Sequence, residues 1–371
     1  MSTPRDIEQL VIPEFEKYLK TPEPSVRERA DIWRTAIGLQ AVDQLTVSDY
    51  LKQTAQQNIE GKISLDEVEK RVKAYYQAKE AHLPDDEEKE EADKVATNIS
   101  KLLSEHSFTF SVAGFTAIHR QIFNGVFKHA GKLRDYDISK KEWVLDGDSV
   151  LYGRWQDLRM TLAYDIDQEK QFDYTSLALP EAIEHIAGFV AGIWQIHPFR
   201  EGNTRTTAIF TIKYLRSIGF LQINNDLFEK HSWYFRNALV RANYRNVRKG
   251  VNPDNTFLIT FFRNLILGEQ TPLHNRDMHI KLSSTQSATE SVQSAIQSAN
   301  SLPSKCKNCT LEETAVLQLI QRQPRITQKQ IAQLIGKSER TIKSITVRLT
   351  TQGILRRENG KRDGYWVIVN D

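Results

Sequence analysis

Residues 197–205, His-Pro-Phe-Arg-Glu-Gly-Asn-Thr-Arg, place a base, an acid and a guanidinium within one short segment. An apolar-periodic stretch follows directly and predicts a helix that begins near Thr204. The first N–H groups of a helix have no intrahelical partner, so anions bind in front of them. Gly202 lets the backbone approach such an anion closely. The segment therefore predicts an anion site, and phosphate chemistry is the natural use of it.

Three side chains around this predicted anion site suit phosphate chemistry. Glu201 would repel a phosphate unless a divalent cation bridges them, and Mg²⁺ commonly binds one or two carboxylates together with phosphate oxygens. Arg205 offers a planar fork for further phosphate oxygens. His197, on the other side of the loop, is free to take a proton from an attacking group. Each feature alone is usually structural, and their combination before one helix favours a catalytic site.

The stretch resembles the signature of the Fic family, His-x-Phe-x-(Asp/Glu)-Gly-Asn-Gly-Arg-x-x-Arg. It departs from that signature at Thr204, where the family usually has glycine, and at Ala208, where the last arginine is expected. The likeness covers roughly residues 95–270 and includes residues 123–139, which resemble the family segment leading into a substrate-binding flap. Family members mostly transfer AMP from ATP to a hydroxyl of a target protein. The resemblance therefore implies a Mg²⁺-dependent protein adenylyltransferase with ATP as co-substrate.

The resemblance also implies a role for each matching residue. His197 would be the general base for a Tyr, Ser or Thr hydroxyl of the target, or of the chain itself. Glu201 would hold Mg²⁺ between the α- and β-phosphates, and Arg205 would reach the β-phosphate. The residues expected to bind the nucleotide are Glu201, Gly202, Asn203, Thr204, Arg205 and Tyr234. For Tyr234 the proposed contact is with adenine, and a place in the apolar core is the alternative.

In residues 136–152, apolar and polar side chains alternate on both sides of a turn-prone Asp-Gly-Asp. This pattern predicts a short β-hairpin. By the resemblance this hairpin would be the flap, which aligns the main chain of the target as an added strand. We therefore expect one strand pair inside an otherwise helical domain.

The family's inhibitory ion pair is expected to be absent. The N-terminal region resembles a small antitoxin-like module whose (Ser/Thr)-x-x-x-Glu-(Gly/Asn) segment holds the last arginine in many members. One candidate place for that glutamate has Leu39 or Gln40, and the other has Glu60 but with Gln56 where Ser or Thr is expected. Because the arginine is also replaced, by Ala208, we expect the module to be structural.

The C-terminal end has its own charge and pattern. Residues 310–371 hold eleven Lys or Arg against six Asp or Glu, which gives them a net charge of about +5. The whole chain has a net charge of +3, so the net charge of the remainder is about −2. Three predicted helices are followed by two short strands, "GILRR" and "YWVIV", and the whole is similar to winged helix domains. A basic unit of this kind predicts DNA binding, with protein contact or dimerisation as the alternative.

Within this unit the helix that follows Gly336 would enter the major groove. The residues expected near base edges are Ser338, Arg340, Thr341 and Lys343. Lys361 and Arg362 would lie on the wing and contact phosphates.

We therefore expect a mainly α protein, with an all-helical Fic-like core, a β-hairpin flap and a C-terminal winged helix domain. The expected divisions are an antitoxin-like module (1–90), a catalytic domain (91–275), a linker (276–308) and the winged helix (309–371). No apolar run approaches the roughly 20 residues that span a bilayer, and no secretory signal is evident, so a cytoplasmic protein is expected. The alternative function is a DNA-binding regulator whose Fic-like core only senses a nucleotide. A homo-oligomer is left open.

Overall fold

The computed structural model describes residues 13–78, 84–220, 223, 226–281, 311–335, 339–358 and 365–369. The chain divides into two compact units, residues 1–278 and residues 279–371. Within the described residues no helix is both long and apolar enough to cross a membrane.

The N-terminal part of the first unit is a group of helices: α1 (Pro13–Leu19), α2 (Pro24–Gly38), α3 (Asp49–Ile59), α4 (Leu65–Gln77) and α5 (Pro84–Ser104). A 3₁₀ helix, Leu39–Asp43, follows α2 directly. Ser48 and Ser64 cap α3 and α4, each accepting a backbone N–H three residues further on. Trp33 of α2 is fully buried and donates its indole N–H to Asn58.

The predicted division between residues 90 and 91 is not seen. Helix α5 runs without a break from Pro84 to Ser104, and both sides of the expected boundary belong to the same compact unit. Later residues of α5, such as Val95 and Ile99, are fully buried. The expected boundary near residue 275 agrees with the unit boundary after Met278, whereas residues 282–310 of the expected linker lie outside the described residues.

The remainder of the first unit consists of α6 (Val112–Ile122), α7 (Leu158–Lys170), α8 (Leu179–Ile196), α9 (Asn203–Ser217), α10 (Asp226–Lys230), α11 (Ser232–Asn243) and α12 (Thr256–Leu267). Helix α9 lies at the centre and is buried from Asn203 to Leu215, packed against α5, α6 and α8. It ends just before Gly219, which adopts a positive φ of 107°.

The predicted β-hairpin at residues 136–152 is wrong in detail. These residues form no strand, and a 3₁₀ helix, Trp143–Leu145, occupies the turn. One backbone hydrogen bond, from Glu142 to Asp148, joins the two arms at 2.9 Å. The arms are instead fixed by contacts to helices, so their alternation in sequence reflects burial against the core and not pairing with each other. We call residues 136–152 the flap segment.

The second unit has the predicted winged helix elements. It contains α13 (Leu311–Arg322), α14 (Gln328–Ile335), α15 (Glu339–Thr351) and an antiparallel pair, β1 (Leu355–Glu358) with β2 (Tyr365–Ile368). Leu355 lies opposite Ile368, and Glu358 lies opposite Tyr365. Buried apolar residues from all three helices and both strands form its core, among them Leu317, Ile331, Ile342, Leu355 and Trp366. The predicted fold class, mainly α with a C-terminal winged helix, is thus confirmed.

Candidate functional site

The loop between α8 and α9 carries the nine-residue motif. Helix α8 ends at His197, which adopts the left-handed conformation with φ 50° and ψ 57°. Five residues later the chain turns again at Gly202, with φ 73°, and enters α9. The two turns bring the carboxyl end of one helix and the amino end of the next to the same place. His197 therefore lies beside the unpaired N–H groups that begin α9.

His197 is buried and neutral. Only 3% of the residue is exposed, and its Nδ1 lies 3.3 Å from the carbonyl oxygen of Trp194. Burial, followed by the nearby charge of Lys140, holds the pKa of His197 well below its usual value. Within the part of the chain that the structure describes, the Nε2 atom has no hydrogen-bond partner. If Nδ1 carries the proton donated to Trp194, Nε2 presents a free lone pair, which is the form that a general base needs.

Asn203 closes the motif loop upon itself. Its side chain accepts the N–H of Phe199 at 2.9 Å and donates to the Phe199 carbonyl at 2.8 Å. The Phe199 ring is fully buried and stacks on His119 with ring centroids 3.8 Å apart. Asn203 therefore contributes to the predicted anion site through its backbone N–H, while its side chain fixes the loop.

Gly202 is required by both conformation and space. Its positive φ is unfavourable for residues with a Cβ, and a Cβ built there would lie 2.1 Å from the Phe123 ring. The glycine therefore lets the loop pass over this ring and leaves the α9 terminus open.

Thr204 occupies the place of the family's glycine without facing the anion site. Its hydroxyl accepts the indole N–H of Trp194 at 2.9 Å, and only 6% of the residue is exposed. This bond ties the start of α9 to the last turn of α8. Its predicted part in ligand binding is therefore limited to the backbone N–H.

Glu201 is the exposed carboxylate of the loop. Its side chain is 57% exposed and lies 3.4 Å from Nζ of Lys140 in the flap segment. The described residues contain no cluster of three or more His, Cys, Asp or Glu that could hold a metal alone. A single accessible carboxylate at a helix start fits Mg²⁺ shared with substrate phosphates, because that ion keeps few protein ligands.

Arg205 is engaged by the N-terminal helices. Its Nη1 donates to Gln40 at 3.1 Å and its Nη2 to Glu91 at 2.9 Å, while Nε lies 2.8 Å from Asp43. The guanidinium also lies over the Phe123 ring, 4.9 Å from its centroid. These partners direct the guanidinium toward residues 39–43 and α5. Contact with a β-phosphate, which remains a prediction, requires an exchange of these ion pairs.

The positions at which the family would have its inhibitory arginine and glutamate lie apart in the structure. Ala208 is fully buried in α9. Glu60 accepts hydrogen bonds from Tyr18 and Gln56 and forms an ion pair with Lys62, which together lower its pKa to about 2. None of these contacts belongs to the motif loop. Gln40, the other candidate position, does reach the motif, but it contacts Arg205.

Two residues that support the loop were missed by the sequence analysis. Arg134 is buried and donates to the carbonyls of His197 at 2.8 Å, Tyr136 at 2.6 Å and Gly153. His119 accepts the N–H of Gly131 at 2.7 Å and contacts the Glu201 carbonyl at 3.1 Å. Both act on backbone atoms far away in sequence, and no spacing within the chain signals such contacts.

The flap segment is anchored beside His197. Glu142 is fully buried and accepts from Arg236 of α11 at 3.1 Å. The ring of Tyr152 lies 4.3 Å from the ring of His197, and its hydroxyl donates to Glu142 at 3.3 Å. Burial raises the pKa of Tyr152 above its usual range, so the hydroxyl stays protonated. The flap segment therefore covers His197 with an aromatic ring.

The prediction that Tyr234 contacts adenine is not supported. Tyr234 is 3% exposed, and its hydroxyl donates to the carbonyl of Phe257 at 3.3 Å. Its ring stacks on Phe261 of α12. Because the side chain fills the space between α11 and α12, its packing favours the alternative interpretation as a core aromatic.

In the second unit, α15 has the position of a recognition helix after α14. Lys343 and Val347, one turn apart, are exposed on it. The side chains of the other residues expected to contact DNA are not among those that the structure describes: Ser338, Arg340, Thr341, Lys361 and Arg362.

The chain was compared with known families and structures. A model of the Fic/DOC family matches residues 109–215, and a model of winged helix-turn-helix DNA-binding domains matches residues 313–356. No curated protein matches the chain significantly. The crystal structure of a Fic family protein from Desulfovibrio desulfuricans G20 is similar at a TM-score of 0.43 and 13% identity, over 100% of this chain and 98% of that one. Residues 109–215 are thus similar to the Fic/DOC family, and residues 313–356 are similar to winged helix-turn-helix DNA-binding domains.

Proposed function

We propose that the chain transfers AMP from ATP to a hydroxyl side chain of a protein target. The observation that carries this proposal is the unpaired Nε2 of His197, buried beside the amino end of α9. A neutral base next to an anion site is the arrangement that a nucleophilic attack on a phosphate requires.

In this proposal His197 acts on the target hydroxyl. Nε2 takes the hydroxyl proton while the hydroxyl oxygen forms a bond to the α-phosphorus, and the bond to pyrophosphate breaks. The lowered pKa of His197 keeps Nε2 unprotonated at neutral pH, which suits the step. The Tyr152 ring limits the imidazole to one orientation, so little reorganisation is needed.

The amino end of α9 would hold the phosphates. The backbone N–H groups of Asn203, Thr204 and Arg205 have no carbonyl four residues back to accept them, because the helix starts at Asn203. They would donate to phosphate oxygens, assisted by the positive end of the helix dipole. Glu201 would bind Mg²⁺, which neutralises phosphate charge and stabilises the leaving group.

The test uses two radioactive forms of ATP. The purified chain is incubated with Mg²⁺ and ATP labelled either at the α- or at the γ-phosphate, with the chain and a lysate as acceptors. We expect label on protein from the α form alone, because AMP carries only the α-phosphate. Label from the γ form would show phosphate transfer and contradict the proposal. A parallel incubation with other labelled nucleotides establishes whether adenine is selected.

A second function, DNA binding, is favoured by the match of residues 313–356. We expect the affinity for duplex DNA to fall steeply with salt, because Lys and Arg contacts release counterions from phosphates.

Arg340→Ala should also relax the base preference, while Lys361→Ala should weaken the binding of all duplexes equally. Gel-shift titration of the full chain against a random duplex pool at two salt concentrations measures both effects. If no duplex is retained at low salt, the unit is a protein-contact domain.

A further inference from the structure

A cavity of about 510 Å³ lies between α7 and α8, outside the motif loop. Its lining is acidic and aromatic, and contains Tyr164, Asp165, Glu169, Phe172, His185 and Phe189. Two glycines of α8, Gly188 and Gly192, leave the wall open on that side. No lysine or arginine is part of the lining, whose acidic and basic side chains are Asp165, Glu169 and His185.

Glu169 forms the inner end of the cavity. It is buried and accepts the Tyr174 hydroxyl at 2.5 Å, the Tyr214 hydroxyl, and His185 Nε2 at 2.7 Å. These bonds fix the carboxylate in place. Two of its partners are tyrosine hydroxyls, which carry no charge, and the third is the His185 imidazole, so Glu169 places a fixed carboxylate at the inner end.

Asp165 lies nearer the opening and differs from Glu169. Among the described residues it has no hydrogen-bond or ion-pair partner, although it is only partly exposed. Its Oδ2 lies 3.7 Å from the place of a Cβ at Gly192, so the carboxylate faces α8 across the cavity. Burial raises the pKa of Asp165, as expected for a carboxyl group without a cation beside it.

Aromatic rings complete the site. Phe172 stacks on His185 with ring centroids 3.4 Å apart, and Tyr164 is 64% exposed at the opening. A cation that lies over aromatic faces and meets a carboxylate gains from both contacts, and guanidinium and ammonium groups do this best. The lining therefore selects a positively charged organic group.

The cavity is close to the flap segment along α8. Gly192 borders the cavity, and Gln195, one turn further on, donates to the carbonyl of Leu151 at 3.1 Å. At 1.5 Å of rise per residue the two are about 4.5 Å apart along the helix axis. Leu151 is 85% exposed, and Met160 of α7 is 68% exposed. Exposed apolar side chains are thus present both on the flap segment and on α7, and exposed apolar side chains are common at protein contacts.

We infer that the cavity between α7 and α8 is a second recognition site for the protein target and binds a lysine or arginine side chain. That side chain would lie near the hydroxyl presented at the flap segment. The role in target recognition rests on the proposed function, whereas the binding of a cationic side chain does not.

Binding is tested on the full chain with N-acetyl-arginine amide and N-acetyl-lysine amide. N-acetyl-citrulline amide is the control because it has nearly the shape of arginine without the charge. We expect calorimetry or NMR titration to give affinities at least about tenfold higher for the charged probes, since charge-assisted hydrogen bonds are the strong ones. Equal affinities, or no binding of the charged probes, would overturn the inference.

Two variants locate the site and one serves as a control. Asp165→Asn removes the charge and keeps the shape, so binding should fall to the level of the citrulline probe. Gly188→Leu should also abolish binding, because a Cβ there meets no atom within 4 Å and the side chain would enter the cavity without straining α8. Asp167→Asn should bind normally, because Asp167 is exposed and pairs with Lys170. Unchanged binding in the first two variants would place the probe elsewhere.

The role in target recognition has its own measurement. Excess arginine amide should lower AMP transfer to lysate proteins by the wild-type chain but not by Asp165→Asn. Arginine amide that binds without lowering transfer would overturn the target role and keep the cation site. If the wild type transfers no AMP at all, the proposed function fails and the target role fails with it, while the probe affinities still decide the cation site.

Discussion

At the scale of single residues, the motif loop depends on side chains that contact other parts of the protein. Asn203 bonds both backbone groups of Phe199, and Gly202 avoids the Phe123 ring. His119 stacks on Phe199 and contacts the Glu201 carbonyl. The loop is thus held from both sides, which leaves His197 and Glu201 as the side chains available for chemistry.

His119 makes the stability of the first unit depend on pH. Burial lowers its pKa from the usual 6.5 to about 4. As pH falls below 6.5, His119 binds a proton in the unfolded chain but not in the folded chain. The free energy of unfolding therefore decreases between about pH 6.5 and pH 4. At pH 5 the loss from this residue is about 2 kcal/mol relative to neutral pH.

Urea unfolding of the wild type and of His119→Gln at neutral pH and at about pH 5 measures this loss. Glutamine can still accept and donate one hydrogen bond each, but it does not titrate. We expect the variant to lose about 2 kcal/mol less than the wild type over this interval. Parallel losses in both proteins would show that His119 is not the titrating group.

Much of the site could be predicted because it is local in sequence. The carboxyl end of α8 and the amino end of α9 are only a few residues apart, so the motif itself determines where His197 and Gly202 lie. Whether the Tyr234 side chain is buried depends on which face of α11 packs on α12, and its neighbours in sequence do not reveal this. The partners of Arg205 lie 114 and 165 positions away, so only the fold could identify them.

At the scale of elements, Arg134 joins the flap segment to the end of α8. Its guanidinium bonds carbonyls at both ends of the flap segment, at Tyr136 and Gly153, and the carbonyl of His197. The hairpin expected from sequence would have held itself by strand pairing. In the structure one buried cation takes over that task, together with the Glu142–Arg236 pair.

Arg134→Lys is expected to destabilise the protein and slow AMP transfer together. An ammonium cannot span carbonyls that a guanidinium fork reaches, and each buried carbonyl left unpaired costs about 1–3 kcal/mol. Denaturant unfolding and labelled-ATP assays measure the two effects. Arg200→Lys is the matched control, because Arg200 is 41% exposed and its ion pair with Asp135 lies at the surface. An Arg134→Lys protein of normal stability and normal AMP transfer would contradict the claim that Arg134 holds the flap segment against the end of α8.

At the scale of the whole molecule, the N-terminal helices reach into the motif. Asp43 and Glu91 share the guanidinium of Arg205, the residue expected at the β-phosphate. The sequence analysis expected a structural module with no hold on the site. Asp43 of the module contacts Arg205, and Glu91, the residue directly after the expected module, contacts it as well.

We expect the double variant Asp43→Asn, Glu91→Gln to bind Mg-ATP about fivefold or more tightly. Without the carboxylates Arg205 can donate to phosphate, and one charge-assisted hydrogen bond is worth about 1.5–3 kcal/mol. Equilibrium binding of ATP measures the change. Asp49→Asn is the control, since Asp49 pairs with Lys52 on the surface of the same module. Unchanged affinity in the double variant would mean that Arg205 is purely structural.

The most direct test of the central claim is the substitution of His197 by alanine, with labelled AMP transfer and ATP binding measured on the same protein. The account predicts that transfer falls by about 10²–10⁴, the usual contribution of a general base, while ATP affinity and folding stay nearly unchanged. His106→Ala, which removes an exposed histidine outside the motif, should transfer normally. A His197→Ala protein that transfers AMP at the wild-type rate would contradict the account.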